Sequence, residues 1–350
     1  MNRNNAAKSL TTILAFVFII FLTVPAISCG GNGEAGNDIG VVVTLLPQAE
    51  FVEKVGGDKV DVTVMVPPGA EPHFYDPTPS QMVALSRAEI YAKVGSGVDF
   101  ELDWMDNLIA QNEDILVVDC SEGVSLIDMA GEHEEEEEDH EHSGMDPHIW
   151  MSPVNVRIMV QNICDGLVQV DPDNKTYYEV KRDAYIRELT QLDQDIRDGL
   201  SGLTNRKFMV YHPSFGYFAE EYDLTMIAVE EEGKEPTSAG IKKLIDQAEE
   251  YNIKVIFVSP QFNQQNAEVI ASEIGGEVIP IDPLARDYIT SMYTLSDELE
   301  KATGNGKKKE VFEPLSYIMF AIGVAAILGT GGVIIYHLVR KRKSEIRHGT

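Results

Sequence analysis

Residues 177–203 contain no proline, and apolar side chains recur there at Tyr185, Leu189, Leu192, Ile196, Leu200 and Leu203, three or four positions apart. That spacing places them on one stripe of a single α-helix, about 40 Å long at 1.5 Å per residue. A helix of that length outruns one small β/α unit. It predicts a chain divided in two by a stiff connector, with little freedom for large hinge motion.

On either side, short β-branched runs alternate with helix-like segments. Before the connector, strands are expected at residues 39–45, 60–66, 89–94 and 115–119, with helices near 47–55 and 102–110. After it, strands at 207–211, 225–229, 255–259 and 277–281 alternate with helices near 239–251 and 264–274. Residues 39–45 lack polar alternation, as expected of a strand covered on both faces in a parallel sheet. The pattern predicts an α/β protein of two doubly wound β/α lobes joined by a long rigid helix. The expected boundaries are 39–173 for the N-terminal lobe, 174–203 for the linking helix and 204–302 for the C-terminal lobe. Ligands of open parallel sheets bind beyond the carboxyl ends of the strands, so the cleft between the lobes is the expected site.

The two ends of the chain are of another kind. Arg3 and Lys8 precede an apolar run over 10–24, which leads to Ala26, Ile27, Ser28 and Cys29. This predicts a signal peptide over 1–28, lipidation at Cys29 and a flexible tether over 29–38. Residues 317–339 are apolar or small apart from Thr330 and His337, and Arg340, Lys341, Arg342 and Lys343 follow. Such a stretch spans a bilayer, with its basic flank in the cytoplasm. A linker over 303–314, a transmembrane helix over 315–339 and a cytoplasmic basic tail over 340–350 are therefore expected. Both ends place the bulk of the chain on the extracytoplasmic face of the cell membrane. With Cys29 lipidated, Cys120 and Cys164 remain, which is too few for a disulfide framework or a thiolate zinc site. Their pairing stays open.

Lysine and arginine total 28 against 57 acidic residues, a net charge of -29. That balance excludes nucleic acid as a partner and concentrates cations near the surface. It peaks in residues 132–142, where eight acids surround His133, His140 and His142. Such a block is a solvated loop, here expected over 131–145, and its histidines make it an auxiliary, weak metal-binding loop. It is no zincin helix, because position 137 is Glu where the second histidine is required.

Three other histidines stand in a different context. His73 precedes the helix start formed by Thr78, Pro79 and Gln81. His148 precedes a similar start at Ser152 and Pro153, and His212 ends the 207–211 strand. Asp282 ends the 277–281 strand in the same way. A lone loop histidine is more often structural than a ligand. Three at β/α junctions, each beside a proline and joined by one carboxylate, suit a tetrahedral zinc ion.

The segments carrying these residues are EPHFYDPTPS at 71–80, DPHIWMSP at 146–153, YHPSFGYFA at 211–219, EPT at 235–237 and IDPL at 281–284. In that order they resemble the substrate-binding proteins of zinc and manganese ABC importers, the zinc-uptake type within the cluster A-I metal-binding lipoproteins. The resemblance spans roughly residues 39–302. It implies two lobes about a rigid helix, with metal held by His73, His148, His212 and Asp282, and with Glu71 as the alternative fourth ligand. Manganese-binding members tend to have glutamate where this chain has His212, so Zn2+ is favoured over Mn2+. The implied function is an extracellular, monomeric, high-affinity receptor that delivers zinc to the permease of an ABC importer and is not an enzyme. The alternatives are a manganese receptor of the same family, or a surface adhesin or metalloenzyme on the same fold. An enzyme would need an open coordination position and a general base, and no nucleophile is evident. The chain departs from the family pattern in its carboxyl-terminal anchor, and in Asp223 where many members have glycine.

Overall fold

The computed structural model describes residues 38–129, 144–230 and 234–302. The first β/α series forms β1 (Ile39–Val43), β2 (Val60–Val64), β3 (Ile90–Lys93) and β4 (Leu116–Asp119), interleaved with α1 (Leu46–Gly56), α2 (Pro79–Leu85) and α3 (Asp99–Ile109). Its strands are all parallel, in the order β2-β1-β3-β4. Two helices follow, α4 (Pro153–Val170) and the long α5 (Lys175–Leu200). The second series comprises β5 (Lys207–Val210), α6 (Gly216–Glu221), β6 (Thr225–Ala228), α7 (Ser238–Glu250), β7 (Val255–Val258), α8 (Gln265–Ile274), β8 (Glu277–Pro280) and α9 (Tyr288–Ala302). Its sheet, β6-β5-β7-β8, is again parallel and repeats the order of the first. In each sheet the connections reverse direction at the first strand, which opens a crevice at the carboxyl ends of the strands.

α5 is the predicted connector, and its 26 residues give it about 39 Å. It buries Tyr178, Tyr185, Leu189, Leu192, Ile196 and Leu200 and leaves its charged residues outside. α1, α4 and α9 pack on it. Through this stripe the core of the first sheet continues to Phe208, Val210 and Phe218 of the second lobe. The far side of the second sheet has its own core around Met209, Val229, Ile256 and Ile270. Both sheets belong to one compact unit that begins at Ile39. A shared, close-packed core resists relative displacement of the lobes.

Polar contacts reinforce the joint. Glu50 of α1 accepts from the Tyr185 hydroxyl on α5 at 2.9 Å and from the Tyr288 N–H that begins α9 at 2.6 Å. Phe51 meets the Tyr288 ring edge-on at 5.2 Å. The helix α9 was not anticipated, although its buried Tyr288, Met292, Leu295 and Leu299 repeat at helical spacing. Asp223 has φ +54°, which explains why glycine suits that turn.

Cys120 and Cys164 are buried free thiols, and burial pushes the Cys164 thiol up to about 11. Both are therefore inert. The signal segment 1–28, Cys29, His133, His140, His142, the linker 303–314, the membrane segment 315–339 and the tail 340–350 lie outside the described residues. Among the described residues no helix is long and apolar enough to cross a membrane.

Candidate metal centre

Each of the three histidines is mounted on a short turn between a strand and a helix. Beyond β2 the chain makes a single 3₁₀ turn, Pro72–Phe74, whose start is fixed by the Glu71 carboxylate accepting the His73 N–H at 3.2 Å. The reciprocal cap at α2 forms as predicted, with Gln81 N donating to Thr78 Oγ1 and Thr78 N donating to Gln81 Oε1. Gln81 Nε2 then reaches back to the Val64 and Met65 carbonyls, which ties the His73 loop to the strand end. His148 immediately precedes the 3₁₀ turn Ile149–Met151, directly ahead of α4, whose first amides donate to Ser152 Oγ. Ser96, from the loop after β3, donates to the Pro147 carbonyl at 2.5 Å. His212 leaves the end of β5, and its carbonyl accepts the Ser214 N–H at 2.8 Å.

These turns bring the three imidazoles together. The ring centroids of His148 and His212 are 5.2 Å apart, and those of His73 and His212 5.6 Å. Each ring uses Nδ1 on a carboxylate: Asp99 for His73, Asp146 at 2.7 Å for His148, and Glu230 for His212. A carboxylate only accepts, so Nδ1 carries the hydrogen and Nε2 of a neutral ring keeps its lone pair. His148 Nε2 and His212 Nε2 lie 3.3 Å apart. Two ligands about 2.0–2.1 Å from a tetrahedral zinc are separated by about 3.3–3.4 Å. The pair thus stands at ligand spacing. Among the described residues no three His, Cys, Asp or Glu side chains are gathered tightly enough to enclose an ion as they stand.

The carboxylates nearby differ in readiness. Glu71 Oε1 is 3.5 Å from His73 Nε2, and Glu71 Oε2 is buried without a partner. Asp282 Oδ1 instead accepts from Gln261 Nε2 and Leu284 N, both at 2.9 Å. Gln261, Pro283 and Leu284 line the cavity, whereas Asp282 stands behind them.

The cavity is open to solvent and, counted with that open space, spans about 460 Å³. Phe262 stacks on the His212 ring at 4.8 Å, and Trp150 meets the His148 ring edge-on at 5.3 Å. The Trp150 indole N–H donates to the Pro283 carbonyl at 2.8 Å, closing one edge between the lobes. Apolar walls lower the local dielectric and strengthen every electrostatic interaction inside. Burial, with the neighbouring His148 and His73, holds His212 below the ordinary imidazole range despite Glu230. Burial also acts downward on His73, but the Asp99 and Glu71 carboxylates outweigh it and raise that ring. Burial raises Glu71.

Of the four residues expected from the motifs, His73, His148 and His212 line this cavity and Asp282 does not. Sequence reasoning missed the partners Asp99 and Glu230 and the stacking Phe262. Asp146 carried a signal, two residues before His148, while nothing local marks the other three.

A family model described as "Zinc-uptake complex component A periplasmic" (ZnuA) matches residues 41–302. The chain is 32% identical over 284 residues to the high-affinity zinc uptake system protein ZnuA of Bacillus subtilis, covering 78% of this chain and 87% of that protein. It is 27% identical over 274 residues to the manganese-binding lipoprotein MntA of Halalkalibacterium halodurans, covering 76% and 87%. A crystal structure of ZnuA superposes with a TM-score of 0.71 at 38% identity, covering 76% of this chain and 100% of that one.

Proposed function

This chain belongs to the zinc-uptake complex component A family, the substrate-binding proteins of zinc and manganese ABC importers, and from that premise we propose that His73, His148 and His212 capture one zinc ion for delivery to a permease. The observation that carries the reading is the 3.3 Å approach of two Nε2 atoms whose Nδ1 atoms are already committed to carboxylates. Facing lone pairs repel unless a cation lies between them. Zinc accepts imidazole nitrogen readily, whereas manganese prefers oxygen-rich sites. The likeness to a manganese-binding lipoprotein keeps Mn2+ as the second reading, and the three nitrogen donors weigh against it.

The fourth ligand is Glu71 on this geometry, since its buried Oε2 lacks a partner. Asp282 enters the shell only by releasing Gln261 and Leu284. Capture brings His73, whose ring centroid lies 5.6 Å from that of His212, onto the preset pair. With four protein ligands there is no open position for substrate, so the chain acts as a receptor and not as an enzyme.

The domain plan follows the same reading: lobes over 39–173 and 204–302 about a linking helix over 174–203. The relative's description as a lipoprotein supports export and lipidation at Cys29. The apolar stretch 315–339 adds a carboxyl-terminal anchor, and the 132–142 run collects ions weakly beside the main site.

Calorimetric titration of residues 30–314 with zinc and with manganese tests the proposal against a variant carrying alanine at 73, 148 and 212. One tight zinc site is expected in the native chain and none in the variant. Equal binding by both would refute the assignment.

A further inference from the structure

The cavity-facing nitrogens of two histidines are set from behind by groups that do not line the cavity. Asp146 Oδ1 accepts both the His148 backbone N–H at 2.9 Å and its Nδ1–H at 2.7 Å, so one oxygen grips the residue at two points. Glu230 Oε1 accepts from His212 Nδ1. Asp146 is 0% exposed and Glu230 4%. Asp99, the partner of His73, is different: its side chain is 46% exposed, and it faces the cavity. Two of the three rings are thus braced by buried carboxylates and the third by an exposed one.

Room for the Asp146 brace is made by the other lobe. A Cβ on Gly216, the first residue of α6, would lie 2.1 Å from Asp146 Oδ2. The next residue, Tyr217, donates its hydroxyl to the Asp146 carbonyl at 3.0 Å. Gly216 has no positive φ, so the backbone alone does not demand glycine here. The close approach of the carboxylate does.

We infer that Asp146 and Glu230 are positioning residues for metal capture, holding His148 and His212 in the Nδ1–H tautomer so that both Nε2 lone pairs face the ion before it arrives. The inference rests on the reading of these histidines as ligands. The tautomer of an imidazole is set by what its other nitrogen bonds, and a carboxylate behind a metal-binding histidine fixes ring orientation and raises basicity. Bracing two rings and leaving His73 on an exposed partner makes capture sequential. The ion meets the His148–His212 pair first, and His73 closes on it afterwards.

The test uses the full chain with zinc alone as the probe. Zinc competition titrations on D146N, E230Q and G216A are paired with nitrogen NMR of metal-free protein labelled at histidine, which reads the tautomer directly. Each variant is expected to bind zinc about 10–100-fold more weakly. The Nε2–H form is expected to grow at His148 in D146N and G216A, and at His212 in E230Q. G216A is the cleanest arm, because alanine is otherwise favoured over glycine in a helix and no titratable group is removed. Affinities within about twofold of the native chain in all three would overturn the inference, as would weaker binding with unchanged tautomers, which marks a merely structural role. Failure of the underlying reading looks different: H148A and H212A would then keep the tight site.

Discussion

His148 Nε2 and His212 Nε2 face each other at 3.3 Å although 64 positions separate the residues in the chain. With each Nδ1 donating to a carboxylate, neither Nε2 of a neutral ring has a hydrogen to offer the other. A cation between them would meet two lone pairs already at ligand spacing.

Zinc should accordingly stabilise the folded chain. A ligand at 1,000 times its Kd adds about 4 kcal/mol to the folded state, which calorimetry reads as a rise in Tm. In H212A the zinc-dependent rise should shrink to a small fraction of the native one. A rise of the same size at the same free zinc would place the ion elsewhere.

Acid should weaken capture in two stages. Binding needs neutral imidazoles, so a ring with a raised pKa begins to compete for protons at higher pH than one with a lowered pKa. His73 is raised and His212 lowered. As pH falls, affinity should therefore start to drop above the ordinary imidazole value of about 6.5, by about tenfold per pH unit for the one proton displaced from His73. His212 adds a second proton only below that value. D99N removes the hydrogen-bonded carboxylate that raises His73, and the onset measured by zinc competition from pH 8 to 5 should move to lower pH. An unmoved onset would assign the first proton to another group.

Glu50 should matter to stability at both neutral and acid pH. E50A leaves the Tyr185 hydroxyl without its acceptor, at a cost of about 1–3 kcal/mol, while the Tyr288 N–H keeps the Arg286 carbonyl at 2.9 Å. Burial raises the folded-state pKa of Glu50 above the unfolded one, so the folded native chain takes up this proton first as pH falls. That gain is absent at neutral pH and complete below the unfolded value. The gap between native chain and E50A in denaturant unfolding should therefore widen from pH 7 to pH 4. A gap that narrows would reverse the assigned sign.

Gly95 carries the loop that braces the His148 turn. Its φ is +86°, and a Cβ there would lie 1.9 Å from Asp119 Oδ1. Ser96 beside it holds the Pro147 carbonyl. G95A should destabilise the chain by about 2 kcal/mol or more and weaken zinc binding as well, which paired melts and titrations would show. A Tm unchanged within a degree would mean that the loop adapts freely.

Much of this was legible in the residues. Prolines and capping side chains mark where turns pass into helices, and that chemistry is local: Thr78 with Gln81, and Ser152 with the first amides of α4, act within a few positions. The same signals placed His73, His148 and His212 at junctions. The helix α9 falls inside the predicted C-terminal lobe, and the helical spacing of Tyr288, Met292, Leu295 and Leu299 is its local signal.

By itself the sequence determined the alternation of strands and helices, the stiff connector and the nitrogen-rich set of ligands. Periodicity and capping depend on neighbours along the chain, so a reading of the chain recovers them. Only the tertiary structure decided that His148 and His212 meet at ligand spacing and that Asp99, Asp146 and Glu230 stand behind the rings. It also decided that Glu71 offers a free buried oxygen while Asp282 is engaged by Gln261 and Leu284. Those relations join residues from different strands and loops. A carboxylate's range is a few ångströms through space, and separation along the chain carries no record of it.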